Sequence, residues 1–377
     1  MKKVLLGTSA LLGVGLLAGT AAASDGVKLS LGGFMRSYFG ATFDDDDAGE
    51  SGDNLNTTGV GTDAEVYFLG SVTLDNGITV GTRIELEAES RDNNNGEGND
   101  NDQIDAAYAY FSGGFGEIRI GSLAGAAGNM YMLPPGSSAN FGPYSPNTIG
   151  SAASPGLFDP EGALTNKDKS QKLVYYSPTW SGFSFGVSYT PEDNFETQQD
   201  GAEATFHPTR NTGDAANNVA LGLHYAYEGD GWGLDAGAAG YWEGDIQQKN
   251  ADAEDEQSGY NAGVNLSFGG LTVGAAFTYL DDQNGDNEDL WVVGTGLSYN
   301  VDAWTVGAGW AHLEQEEEGF GDNNTTDRLG VTGSYAMGPG IDLDAGIFYT
   351  WSDEADDSAA NDDYDAIEFA IGSSITF

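Results

Sequence analysis

Residues 117–176 read EIRIGSLAGAAGNMYMLPPGSSANFGPYSPNTIGSAASPGLFDPEGALTNKDKSQKLVYY. The two ends, 117–121 and 172–176, alternate in the manner of strands. The 47 residues between them, 123–169, follow neither a period of 2 nor one of 3.6. Six of the ten prolines fall in this stretch: Pro134, Pro135, Pro143, Pro146, Pro155 and Pro160. A loop this long inside an ordered domain is either functional or disordered. Disorder fits poorly, because Met130, Tyr131, Met132, Leu133, Phe141, Tyr144, Ile149, Leu157 and Phe158 give it more apolar surface than a solvated linker carries. Such a segment needs a surface to fold against, and the remainder of the chain supplies one if it closes into a barrel around the loop.

The remainder has a single grammar, strict alternation. Val27, Leu29, Leu31, Met35 and Phe39 share one face, while Lys28, Ser30, Arg36 and Tyr38 share the other. Ala64, Val66 and Phe68 alternate with Glu65 and Tyr67, and after the tight turn Asp75-Asn76-Gly77, Ile84 and Leu86 alternate with Arg83 and Glu85. Continued to Phe377, the pattern predicts sixteen strands, joined by seven short connections and eight long acidic ones in strict alternation. A soluble sandwich has no reason to alternate its turn lengths. A transmembrane barrel has an even number of antiparallel strands, short turns at one end, long loops at the other, and an apolar exterior around a polar lumen. Tyr227, Trp232, Trp242, Tyr279, Trp291, Tyr299, Trp304, Trp310, Tyr349 and Trp351 fall near strand ends, where interfacial girdles belong. The expected fold is therefore all-β: a sixteen-stranded antiparallel transmembrane barrel with residues 123–169 folded into its lumen.

At the N-terminus, Lys2 and Lys3 precede an apolar run over 4–18 and the A-x-A site of Ala21–Ala22–Ala23, which predicts a secretory signal over 1–23 and a mature barrel over 24–377. Export without a helical anchor leaves periplasm, outer membrane or medium, and of these a transmembrane barrel suits the outer membrane. The chain has no cysteine, which excludes disulfides and thiolate metal sites. Its formal charge of −46 becomes −48 once the segment with Lys2 and Lys3 is removed, and nucleic acid is an improbable partner for so acidic a chain. His207, His224 and His312 show no metal-ligand spacing and accompany no acyl-transfer constellation, so an enzyme is not expected. The glycine-rich stretches read as strand and turn glycines, since none opens a helix as a phosphate cradle does.

The acidic loops read as a hydrated exterior, with no cofactor required. The alternative is structural Ca²⁺, for which Asp44, Asp45, Asp46 and Asp47 offer the best oxygen ligands. Near Gly96 the Ca²⁺-loop pattern fails because Arg91 occupies the first ligand position.

Three places give the chain a resemblance to the trimeric general porins of Gram-negative bacteria, of the kind found in photosynthetic and related proteobacteria. Ser112-Gly113-Gly114-Phe115-Gly116-Glu117-Ile118-Arg119-Ile120-Gly121 resembles the hairpin that leads into that family's constriction loop. The run from Lys172 to Phe183, with Ser177-Pro178 and Gly182, is similar to the turn that follows it. Phe377, ending a strand of apolar residues two apart, resembles the family's outer-membrane assembly signal. The resemblance covers nearly all of the mature chain and departs from the usual pattern in the size of its negative charge. It implies a homotrimer in outer-membrane lipid and lipopolysaccharide, passing ions and small hydrophilic solutes through a constriction with opposed charges. Strand parity puts Arg36, Arg83, Arg119 and Lys172 on the basic side, and Asp159, Glu161 and Asp168 are the loop acids set opposite. The other reading of those cations is structural pairing with the wall acids Glu65, Glu85, Asp105 and Glu117. The negative charge implies cation preference at low salt. The alternatives are a solute-specific channel with an aromatic track of Tyr131, Phe141, Tyr144 and Phe158, and a closed barrel with an adhesive surface.

Overall fold

The computed structural model describes residues 26–44, 56–88, 104–138, 141–144, 164, 169–192, 216–244, 257–281, 289–316, 323–353 and 364–377. Residues 1–25, with the expected signal segment, lie outside them. Alternating sequence becomes sixteen antiparallel strands: β1 (Lys28–Asp44), β2 (Thr58–Thr73), β3 (Thr79–Glu87), β4 (Ile104–Gly113), β5 (Gly116–Ser122), β6 (Gln171–Tyr176), β7 (Phe183–Glu192) and β8 (Ala216–Glu228). They continue as β9 (Trp232–Trp242), β10 (Ser258–Phe268), β11 (Leu271–Asp281), β12 (Leu290–Val301), β13 (Trp304–Gln315), β14 (Asn324–Gly338), β15 (Ile341–Asp353) and β16 (Tyr364–Thr376). Each pairs with its sequence neighbours, and β1 also pairs with β16, so the sheet closes and no edge is left to seek another strand. Gly33 and Phe377 exchange backbone hydrogen bonds of 3.0 and 3.1 Å at the seam.

The turns follow from local chemistry. At the β2–β3 hairpin the Asn76 side-chain oxygen accepts from the Ile78 amide at 3.1 Å, and Gly77 takes φ +82°, a value that favours glycine. Several strands run further toward the long-loop end than the apolar pattern indicates: β2 begins at Thr58 and β14 at Asn324, because polar residues continue the ladder above the apolar zone. Asp44, expected to open an acidic loop, is the last residue of β1. Asp45, Asp46 and Asp47 lie outside the described residues.

The apolar face points outward, with Leu29 84% and Val60 82% exposed. Among the described residues no helix is long and apolar enough to cross a membrane, and crossing falls to the strands. The packed core is inside the barrel, between wall and loop: Ala127, Tyr144 and Leu164 of the loop bury with Ala239, Leu280, Leu290, Val292, Ala311 and Leu313 of the wall. The lumen face is therefore not polar throughout. On β9–β13 it turns small or apolar where the loop covers it, since a covered wall gains nothing from polar groups that it cannot hydrate.

Candidate functional site: the lumen and its loop

The loop leaves β5 at Ser122, whose hydroxyl donates to the Lys169 carbonyl and so ties the two ends of the loop together. Among the described residues of the stretch expected to lack regular structure, Ala126–Met130 forms a short helix, α1, where small residues fit between loop and wall. The Ala126 amide donates to the Ser188 hydroxyl at 3.0 Å. From there the chain runs along the inner wall across strand after strand. The Asn261 side chain on β10 receives the Met132 amide at 2.7 Å and donates to the Met132 carbonyl at 3.1 Å, pairing with the loop backbone as a neighbouring strand would. Asn265 donates to the Leu133 carbonyl at 3.0 Å, and Thr332 to the Gly136 carbonyl at 2.9 Å. The Tyr144 hydroxyl donates to the Thr295 carbonyl, and burial pushes the Tyr144 phenol above its ordinary titration range.

Wall glycines make this approach sterically feasible. Gly274, Gly296, Gly309 and Gly330 are successive register partners across β11–β14 and form a row around the barrel. A Cβ on Gly296 would overlap the Pro135 carbonyl oxygen, one on Gly307 would come within 2.8 Å of the Gly136 oxygen, and one on Gly309 within 2.9 Å of the Pro143 ring. On β9 and β10, a Cβ on Gly237 or Gly263 would press on Met132 at 2.8 and 2.6 Å. The row ends in a socket where Phe141, fully buried, packs with Phe348, Ala370 and Tyr38, its ring set edge-on to Tyr38 at 6.2 Å. Beside the socket, Arg328 reaches across β15 to Glu368; both side chains are 2% exposed, and the guanidinium stands 5.1 Å from the Phe348 ring centre. Phe141 and Tyr144 are thus wall anchors, which corrects their expected place in an aromatic track for solutes. Phe158 lies outside the described residues.

Away from the glycine row, the lumen face of β1–β5 carries a row of charges. Arg36 pairs with Asp63 at 3.1 Å, Arg83 with Glu85, Arg119 with Glu117 at 2.7 Å, and Lys169 with Asp105 at 2.8 Å. These side chains are all partly exposed. Each guanidinium also lies over an aromatic ring: Arg36 over Phe34 at 4.4 Å, Arg83 over Tyr67 at 4.1 Å, and Arg119 between Tyr176 at 4.8 Å and Tyr108 at 5.5 Å. Ring and carboxylate together hold the long side chains against the wall. Asp105 enters the row through a bulge in the β3–β4 pairing; the extra residue re-aims its side chain from the outward parity of Ala107 and Ala109.

Ligand oxygens of Glu65, Glu85 and Asp105 lie within 4.8 Å of one another. Arg83 brings positive charge to Glu85 and Lys169 to Asp105. Lys172 is on the lumen face but buried at the loop root, where its ammonium donates to the Ser170 carbonyl at 3.1 Å. Asp159, Glu161 and Asp168 lie outside the described residues.

Sequence reasoning missed Asp63, Lys169, the buried Arg328–Glu368 pair and the seating role of the glycines. The glycines left a signal, their recurrence at lumen parity on consecutive strands. His224 pairs with Asp235 inside the lumen, whereas His312 pairs with Asp327 at 3.1 Å on the outer face, so the structure does not bring the two histidines together.

A closed sixteen-stranded barrel with an apolar exterior, a charged lumen wall and a loop packed inside has the architecture of an outer-membrane channel. The chain belongs to the Gram-negative porin family, whose model matches residues 7–356. No curated protein sequence matches it. Among solved structures it is similar to the in-vitro folded trimer form of OmpT, an outer membrane protein of Vibrio cholerae (14% identity, TM-score 0.59, 94% of this chain and 100% of that one). It is similar also to the anion-selective porin of Comamonas acidovorans (13% identity, TM-score 0.59, 93% and 100%). A mutant of the Rh. blastica porin aligns at 15% identity and TM-score 0.55 over 93% and 100%. At these identities the likeness is one of fold.

Proposed function

We propose that the protein is a homotrimeric porin, exported by cleavage of residues 1–23, through which ions and small hydrophilic solutes diffuse between the seated loop and the β1–β5 wall. The observation that carries this reading is the division of the lumen: glycines and apolar residues where the loop is seated, paired charges on the face away from that seat. In that charged region the carboxylates of Asp63, Glu65, Glu85, Glu87, Asp105 and Glu117 stand with Lys28, Arg36, Arg83, Arg119, Lys169 and Lys172, so the fixed charges alternate in sign along the wall. The charge of −48 left after removal of residues 1–23 favours cations at low salt, an effect that fades as ions screen the field. The trimer form of the Vibrio cholerae protein supports the assembly, and the girdle residues suit outer-membrane lipid and lipopolysaccharide as surroundings.

Reversing two cations of the row, Arg83→Glu with Arg119→Glu, is expected to raise the K⁺/Cl⁻ permeability ratio roughly twofold or more at low salt. The reversal potential of a planar bilayer under a KCl gradient reads this directly. An unchanged ratio would mean that the pairs only brace the wall.

A further inference from the structure

Along most of the lipid-facing wall the strands present valine, leucine, isoleucine, alanine and aromatic residues. At the long-loop ends of β13 and β14 this pattern breaks. His312 stands between Ala311 and Leu313, which are buried against the loop inside, so it faces outward; Asp327, beside the buried lumen residue Arg328, does the same. The two are register partners, with His312 Nδ1 3.1 Å from Asp327 Oδ1. Trp310 Nε1 donates to that same oxygen at 2.8 Å. The imidazole lies between two indoles, 5.1 Å from Trp291 and 5.9 Å from Trp310, and Phe277 stacks on the Trp291 ring at 6.3 Å. Trp351 on β15 is the register partner of Asp327 on the other side.

An ionisable pair on a lipid-facing wall is costly at the bilayer centre and tolerable near the headgroups. Asp327 is the fourth residue of β14 and His312 the fourth from the end of β13, which sets the pair at headgroup height. Long loops mark that end as extracellular, so the neighbouring leaflet is the outer one. The chemistry then selects the headgroup. Flat indoles accept the apolar faces of sugar rings, and the second oxygen of Asp327 takes no bond from the described residues and can accept hydroxyls. Glu314, Asp353 and Asp365 share the outward parity nearby, which disfavours a phosphate.

We propose that Trp291, Trp310, His312 and Asp327 form a binding site for the sugar headgroup of an outer-leaflet glycolipid. The site rests on the outer-membrane orientation of the barrel and not on its conductance.

The test uses the full barrel in phosphatidylcholine vesicles, with tryptophan emission titrated by a neutral galactolipid and, separately, by phosphatidylglycerol. The expected result is a saturable spectral shift with the galactolipid only, and about tenfold weaker apparent affinity in Asp327→Asn, the loss of one charge-assisted hydrogen bond. Trp310→Phe, which keeps a ring but removes the Nε1 donor, is expected to weaken binding in the same sense and serves if Asp327→Asn does not fold. Equal responses to both lipids, no saturable response, or undiminished affinity in the variants would overturn the site. Conductance recorded on the same preparations separates the two readings: a channel without a galactolipid response sinks only the site, and a response without conductance sinks only the porin.

Discussion

Gly296→Val lowers the single-channel conductance to roughly half or less and makes the current fluctuate, at a cost in stability of about 1–3 kcal/mol from overpacking between loop and wall. The expectation follows from where the added atoms go. Valine suits a β-strand, so β12 itself accepts it. Its Cβ, however, falls on the carbonyl oxygen of Pro135, within the stiff Pro134–Pro135 pair. Gly307 and Gly309 crowd the next residues of the loop, and Asn261, Asn265 and Thr332 hold the flanking carbonyls, so the loop has little room to slide along the wall. Its remaining freedom is to lift into the lumen, where it narrows the passage. Gly333→Val is the control, because Gly333 has open space where a Cβ would stand, and it leaves conductance unchanged. Planar-bilayer recording beside a thermal unfolding curve separates the effects. Unchanged conductance in Gly296→Val, or an equal change in Gly333→Val, would show that the glycine row does not position the loop.

Removal of the Arg328 side chain has the largest expected effect on stability. Arg328→Ala leaves the Glu368 carboxylate buried at 2% exposure without its guanidinium, and a buried pair broken from one side costs about 3–5 kcal/mol. The Arg328 guanidinium also covers Phe348, which builds the Phe141 socket, so the same change loosens the far end of the loop. Urea unfolding followed by tryptophan emission should show the midpoint falling. Neutralising both partners, Arg328→Met with Glu368→Gln, recovers part of the loss because no charge is left stranded. A single variant as stable as the parent, or a double variant no better than the single one, would contradict this account.

How far these residues were legible in advance depends on the distance over which their signals act. Strands and hairpins are written in neighbouring residues: alternation such as Val264, Leu266 and Phe268, and turns such as Asn76-Gly77, require nothing from the rest of the chain. Parity then places Arg36, Arg83 and Arg119 on the lumen side, and the structure puts them there. Asp105 is expected among the wall acids, but strict alternation with Ala107 and Ala109 would turn it outward; it stands with those acids through a bulge that depends on the partner strand and shifts the count by one. Arg328 and Glu368 are 40 residues apart and meet only through the register of three strands, so neither advertises the other. The loop posed a harder case. Its apolar content correctly demands a surface, but aromatic rings near a pore can face solute or wall with equal propriety. Phe141 and Tyr144 face the wall because the glycines opposite leave room for them, a complementarity that lies in the pairing of loop with wall.

Single-channel recording of the purified protein in a planar bilayer under a KCl gradient tests the central claim most directly. An open trimeric porin predicts nanosiemens-scale steps arriving in threes and a reversal potential on the cation side that shrinks as salt is raised. No steps would mean that the loop closes the lumen, and a reversal potential on the anion side would contradict the role given to the negative charge of the chain.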